Sequence, residues 1–383
     1  MRIISNASRG NLKIKSLLKY FYVLLTCACA VVCSVFRKRG SDVLLLRLDA
    51  LGDFVLWLDS AKEYRKLYPD RKITLLVNAS WLELAKALPY WDEVWSLDIG
   101  KFRYQPFYRI QMLTRIRRKG FAIVCQPRFS REFLLEDSIV LVSGAVQRIA
   151  FEGDCSNLRP QEKKFSDRWY TRLLPNPSSP AELERNAEFV RALGATSFQA
   201  SVPNLDVIAD RPAVEGEYYV IAPGAGRNFR CWPIEHFAQI ADKIYAATHL
   251  KGVICGSESD KTLAARLMSL SKAPLIDVTG KTSLMELIGT IKGAKFVVGN
   301  ETAAVHIAAA VGVKAICILG GGHFERFVPY SLKENSRPLP KAIFHRMDCY
   351  GCGWSCKFEV APDAPVPCIA NITVENVWQA INT

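Results

Sequence analysis

Polar residues break two long apolar patterns in this 383-residue chain at places where chemistry could be done. The first is LLLRLDALGDFVLWLD, residues 44–59, in which Arg47, Asp49, Gly52 and Asp53 interrupt an apolar run that resumes at a different spacing. Residues 43–48 read as a strand buried on both faces, and Phe54, Val55, Leu58, Ala61 and Leu67 recur at helical spacing. Asp53 therefore falls at a strand-to-helix turn. In an open α/β sheet such turns lie at the carboxyl ends of strands, where ligands bind. A helix N-terminus favours an ionised carboxylate by about 0.3–1 kcal/mol, and an ionised carboxylate can act as a general base. Gly52 is expected to permit a tight turn. A carboxylate that only caps its helix is the plainer alternative.

The second pattern lies further along. APGAGRNFRCWPIEHF, residues 222–237, sets Gly224, Ala225 and Gly226 directly after an apolar run, where small residues let the backbone approach a phosphate. Arg227 and Arg230 supply positive charge, and a helix starts at Trp232 and Pro233. In VVGNETAAVHIAAAVGVKAICILGGG, residues 297–322, Asn300, Glu301 and Thr302 are expected to cap a small-residue helix whose first N–H groups can hold a diphosphate. His306 follows Thr302 by four residues, on the same face, and reads equally as a ligand contact or a satisfied core histidine.

Near the C-terminus, Cys349, Cys352, Cys356 and Cys368 stand within 20 residues among Gly and Pro turns. That spacing suits a closed tetrahedral site for structural zinc or iron, with disulfides as the alternative. Cys125, Cys255 and Cys317 fall in expected strands and read as small buried hydrophobes.

Positioning such turns requires alternating strands and helices. From residue 43 the order is strand, helix 54–68, strand 72–77, helix 81–88, strand 93–97, helix 107–119, strand 121–126, helix 131–142 and strand 148–151. An Asn-, Pro- and Ser-containing break spans residues 154–180, then a helix over 181–193. A second alternation runs from 218 to 322. The expected organisation is a basic, hydrophobic segment 1–40, a Rossmann-like domain 41–205, a second 206–345, and a Cys-rich segment with a terminal helix, 346–383.

The net charge of +13 points to anionic partners. No basic-aromatic interleaving or nucleic-acid-binding motif is present, so nucleic acid is not expected. Residues 20–36 carry no charge and are flanked by Arg9, Lys13, Lys15 and Lys19 before and Arg37, Lys38 and Arg39 after. At 17 residues the run is at the short limit for a membrane span, and it fits a helix lying on an anionic surface; a buried N-terminal helix is the alternative.

Five of these stretches, RLDALGDFVL, PGAGRNFRCWPIEHF, GSES, GNETAAVHIAAAVGV and GGGHFERFVPY, in this order and spacing, resemble the ADP-heptose:lipopolysaccharide heptosyltransferase family, glycosyltransferase family 9, over about residues 43–330. The resemblance implies a GT-B fold, two Rossmann-like doubly wound domains facing a cleft, with the acceptor on the first and the nucleotide-sugar on the second. It implies inverting transfer without a catalytic metal, in keeping with a sequence that has no Asp-x-Asp pair. Matched to the family's motifs, Asp53 stands where the base is proposed and Arg230 where a lysine contacts donor phosphate. Glu258 matches an acidic donor contact, and Thr302 and His306 match contacts near the diphosphate. Glu301 replaces a common Asp and Ala303 a common Gly. The implied activity is transfer of a sugar, heptose above all, from a nucleotide-sugar such as ADP-heptose to lipopolysaccharide or another anionic cell-envelope glycan, at the cytoplasmic face of a bacterial inner membrane. Transfer to protein, a different donor sugar, or a non-catalytic nucleotide-sugar-binding subunit are the alternatives.

Overall fold

The computed structural model describes residues 6–34, 40–208, 212–332, 337–361 and 364–382, with side chains from residue 18 onward. Arg37, Lys38 and Arg39 lie outside the described residues, as do the side chains of Arg9, Lys13 and Lys15. The chain divides into two compact units. The first is Met1–Asp49, Tyr64–Pro177 and Ala192–Thr196; the second is Ala50–Glu63, Ser178–Arg191 and Ser197–Thr383.

The first unit is built on a parallel sheet of β1 (Val43–Arg47), β2 (Ile73–Asn78), β3 (Glu93–Leu97), β4 (Ile123–Gln126), β5 (Gln147–Phe151) and β6 (Arg172–Leu174). Its order is β3-β2-β1-β4-β5-β6. Val43 pairs with Ile73 on one side and Ile123 on the other, so β1 is central and buried on both faces, which is why it reads as unbroken leucine. Pro106 opens the helix Pro106–Lys119 and Gly120 closes it at φ 71°, a value that favours glycine.

The second unit repeats the design with β7 (Tyr218–Ala222), β8 (Lys251–Ile254), β9 (Leu275–Asp277), β10 (Val297–Asn300), β11 (Ala315–Ile318) and β12 (Lys341–Ile343). The order β12-β11-β10-β7-β8-β9 is the first sheet's order met again, 3-2-1-4-5-6 counted along its own chain. Both are doubly wound Rossmann-like sheets, as expected, and each has a switch point between its first and fourth strands. β6 and β12 were absent from the expected alternation, being three-residue edge strands too short for a period to register. The helix expected over 131–142 is a π-helical turn, Phe133–Asp137, running into Ser138–Ser143.

The helix Leu51–Ala61 clusters with the second unit, although β1 just before it belongs to the first. It packs against the helix Ala303–Ala310. Gly52 sits inside its first turn, not at a tight turn before it, and the glycine's use is close approach. A Cβ there would stand 3.1 Å from His306 Cδ2 and 3.8 Å from Ala303 Cα.

Candidate active site

At the second unit's switch point, the turns after β7 and β10 leave adjacent strands side by side. Asn300, the last residue of β10, fastens them. Its Nδ2 donates to the Pro223 carbonyl at 2.7 Å, and its Oδ1 accepts from Trp232 N–H at 3.0 Å. The capping expected of Asn300 is thus replaced by a bridge between two motifs 70-odd residues apart in sequence. Thr302 occupies the N-cap with extended backbone and makes no side-chain cap bond.

A cleft of about 480 Å³ opens there, lined among others by Leu51, Gly224, Ala225, Gly226, Asp260 and Thr302. That is ample for a small ligand. Ala303 and Ala304 also line it, so nothing larger than a methyl covers the first turn of Ala303–Ala310, whose N–H groups suit an anion. A groove of about 1210 Å³ adjoins through Ala225 and Gly226 and is walled by Arg227 and Asn228. Gly224 and Gly256 are required on this wall because side chains there would collide with the Asp260 carboxylate. That carboxylate accepts from Ser257 N–H and Oγ, both at 2.7 Å.

Charged groups gather beside the cleft. Burial raises the Glu301 carboxyl to about 8 against the pull of Arg230; Asp53 adds to the rise and Arg326 opposes it. Asp53, Arg230 and Arg326 therefore all lie within electrostatic reach of Glu301. Asp53 occupies the first turn of Leu51–Ala61, where the N-cap Ala50 offers no side-chain cap. Arg230 ends the turn Asn228–Arg230, its guanidinium 4.3 Å from the Trp354 ring, and its buried Nε has no hydrogen-bond partner. Burial lowers its pKa. Arg326, which sequence reasoning passed over inside GGGHFERFVPY, donates through Nε to buried Glu182 at 3.2 Å. The lone Arg in that motif was the available signal.

Neither His306 nor Glu258 lines the cleft. Burial holds His306 near 4, so the ring is neutral; its Nδ1 is 2.8 Å from the Tyr330 hydroxyl, and the two rings stack. It bears on Gly52 of the helix that carries Asp53. Glu258 is not among the cleft's lining; its side chain is 73% exposed and pairs with Lys261 at 2.6 Å. Ser257, Ser259 and Asp260 from the same turn line the cleft instead.

The cysteine segment docks on the glycines after β11. Gly351 N–H donates to Gly321 O at 2.8 Å and Gly353 N–H to Gly322 O at 3.0 Å, and side chains on Gly321 or Gly322 would collide with Tyr350 or Trp354. Cys349, Cys352, Cys356 and Cys368 all line one void of about 10 Å³, and Gly321 N–H donates to Cys368 Sγ at 3.4 Å. The thiol chemistry fits a soft metal. Among the described residues, however, no three His, Cys, Asp or Glu side chains converge closely enough to hold an ion. All twelve cysteines are free thiols.

Residues 177–341 match the model of glycosyltransferase family 9 (heptosyltransferase). The chain is 22% identical to lipopolysaccharide heptosyltransferase 3 of Escherichia coli over 297 residues, 73% of this chain and 84% of that one. Two solved structures share its fold. E. coli heptosyltransferase WaaC with ADP-2-deoxy-2-fluoro heptose has a TM-score of 0.64 at 17% identity, covering 89% of this chain and 99% of that one. The dodecameric iron-containing heptosyltransferase TibC, in complex with ADP-D-beta-D-heptose, has a TM-score of 0.55 at 14% identity, covering 90% and 77%; TibC comes from enterotoxigenic E. coli. With two parallel Rossmann-like sheets this chain has the GT-B fold of these heptosyltransferases, and with residues 177–341 matching the family 9 model it is a glycosyltransferase.

Proposed function

We propose that the protein moves heptose from ADP-heptose to a lipopolysaccharide or related cell-envelope glycan, with inversion and without a catalytic metal. The observation that carries this reading is the cleft at the β7–β10 switch point, lined by Gly224, Ala225, Gly226 and Thr302, with Asp53 and Arg230 coupled electrostatically to Glu301, the neighbour of Thr302. In the proposed reaction an acceptor hydroxyl attacks the anomeric carbon while ionised Asp53 takes its proton. The bond from that carbon to the diphosphate breaks, and ADP leaves. Arg230, Arg326 and the N–H groups at Ala303–Ala310 offset the charge that develops on the diphosphate. Gly224, Ala225, Gly226, Arg227 and Thr302 hold the donor, and neutral His306 positions the helix bearing Asp53.

Relatives bearing heptosyltransferase names, two of them solved with ADP-sugars, support the donor, and a lipopolysaccharide relative supports the acceptor. A lipid-linked acceptor sets the work at the cytoplasmic face of the bacterial inner membrane. We also propose that the four C-terminal cysteines, which line one void, draw together on one structural zinc or iron ion, a reading that an iron-containing fold relative supports. The longer Glu301 and the added methyl of Ala303 favour testing other donor sugars in parallel. Mass spectrometry of heptose-deficient lipopolysaccharide incubated with the protein, ADP-heptose and EDTA tests the reading. Addition of one heptose is expected; addition only from another nucleotide-sugar, or only with added divalent metal, would overturn the donor or the metal-independence.

A further inference from the structure

The N-terminal helix Asn6–Val32 is apolar on two opposite sides, and only one side is used by the fold. Val23, Thr26, Cys27 and Ala30 are buried against the first unit. Arg109 Nε donates to Thr26 Oγ1 at 2.9 Å, Arg118 donates to the Cys33 carbonyl at 2.6 Å, and the Tyr20 ring sits 5.1 Å from Phe133. The other side leaves Leu18, Phe21, Leu25 and Val32 exposed at spacings of three, four and seven residues, Phe21 at 64% and Val32 at 71%. Arg109 and Arg118 of Pro106–Lys119 meet successive positions of the first helix, so the two helices run side by side in the same direction. On that neighbour Phe107 is 88% exposed and just before it Tyr104 is 81% exposed, while Arg115 and Arg118 follow Phe107 on one helical stripe.

We propose that this outer stripe, with Tyr104 and Phe107, is a docking face for an anionic lipid surface, and that the first helix lies in the membrane plane. It deepens the membrane-side reading above by naming the surface, and it does not depend on the donor sugar. Charge selects the occupant: the first 41 residues carry eight lysines and arginines and no acidic residue. An exposed apolar stripe in a stretch so rich in Lys and Arg suits the headgroup boundary of an anionic bilayer. A helix whose inner side is buried against its own unit cannot also be surrounded by lipid, and among the described residues no helix is long and apolar enough to cross a membrane. The buried inner side supports a helix that lies flat.

Flotation of the full-length protein with phosphatidylglycerol–phosphatidylethanolamine vesicles, beside pure phosphatidylcholine vesicles, tests the proposal. The wild type should float with the anionic vesicles and at least tenfold less with the neutral ones. Phe21→Asp/Leu25→Asp should abolish flotation, and Phe107→Ser, on a separate helix, should weaken it severalfold, both with unchanged ADP affinity. Wild-type protein that stays in the soluble fraction, or variants that float as well as wild type, would overturn the proposal. So would a dimer in sedimentation equilibrium that these substitutions split while vesicle binding is absent, since the face would then belong to a second copy. Protein that floats but transfers no sugar would leave this surface standing and remove the transferase reading; protein that transfers but never floats would do the reverse.

Discussion

A carboxyl raised to about 8 stays neutral over most of the physiological range, so at pH 7 Glu301 leaves the charge of Arg230 and Arg326 available to a diphosphate. Above that value it ionises, competes for Arg230 and repels phosphate. ADP affinity should therefore fall as pH rises from 7 to 9, by up to about tenfold per unit beyond the pKa, and Glu301→Gln should flatten the profile; titration calorimetry across that range checks both. The sign for stability agrees. Between 4.5 and about 8 the folded state holds a proton that the unfolded state has lost, so this group weakens the fold as pH rises through that window. Arg230→Ala removes the guanidinium proposed to pair with the diphosphate, a charge-assisted contact worth about 1.5–3 kcal/mol. ADP should bind roughly 10- to 150-fold more weakly. Unchanged ADP affinity in the same calorimeter would remove Arg230 from the donor site.

Between elements, the Cys-rich segment meets Arg230 through one ring. Trp354 lies 4.3 Å from the Arg230 guanidinium, and Gly321 and Gly322 after β11 are bare because Tyr350 and Trp354 occupy their side-chain space. Trp354→Ala should lower ADP affinity several-fold without touching the nucleotide, as loss of a partly desolvated cation–π contact of about 1–2 kcal/mol would. Cys352→Ser should lower the melting temperature, and if a metal is held there the metal content should drop with it, which elemental analysis reads. The main turns were legible because each follows a bounded apolar run and opens a periodic one, so residues 44–59, 222–237 and 297–322 announced themselves. What sequence could not supply were contacts closed across long separations. Asn300 was read as a cap and bridges to Pro223; Gly52 was read as a turn and makes room for His306. Each of these depends on which side chain arrives from elsewhere in the fold, which periodicity does not encode.

For the whole molecule, two sheets of the same 3-2-1-4-5-6 order are built from unrelated stretches of one chain, and the helix that carries Asp53 clusters with the unit that carries the cleft. The proposed base and the turns proposed to bind phosphate thus belong to one compact unit, with Gly52 against His306 and His306 against Tyr330. Gly52→Ala should push that helix outward by a few tenths of an ångström and lower turnover more than ADP affinity, which paired rate and binding measurements separate, because a small misplacement of a reacting group costs rate steeply. The excess positive charge suits both the proposed anionic ligands and the proposed anionic surface. A division of labour is proposed, with Asp53 acting on the acceptor and the β7 and β10 turns holding the donor. Turnover and ADP affinity of Asp53→Asn, measured side by side in EDTA, test it most directly. Turnover should fall by about 10²- to 10⁴-fold, the share a general base supplies, with ADP affinity nearly unchanged; near-normal turnover, or turnover and ADP affinity lost together, would contradict it.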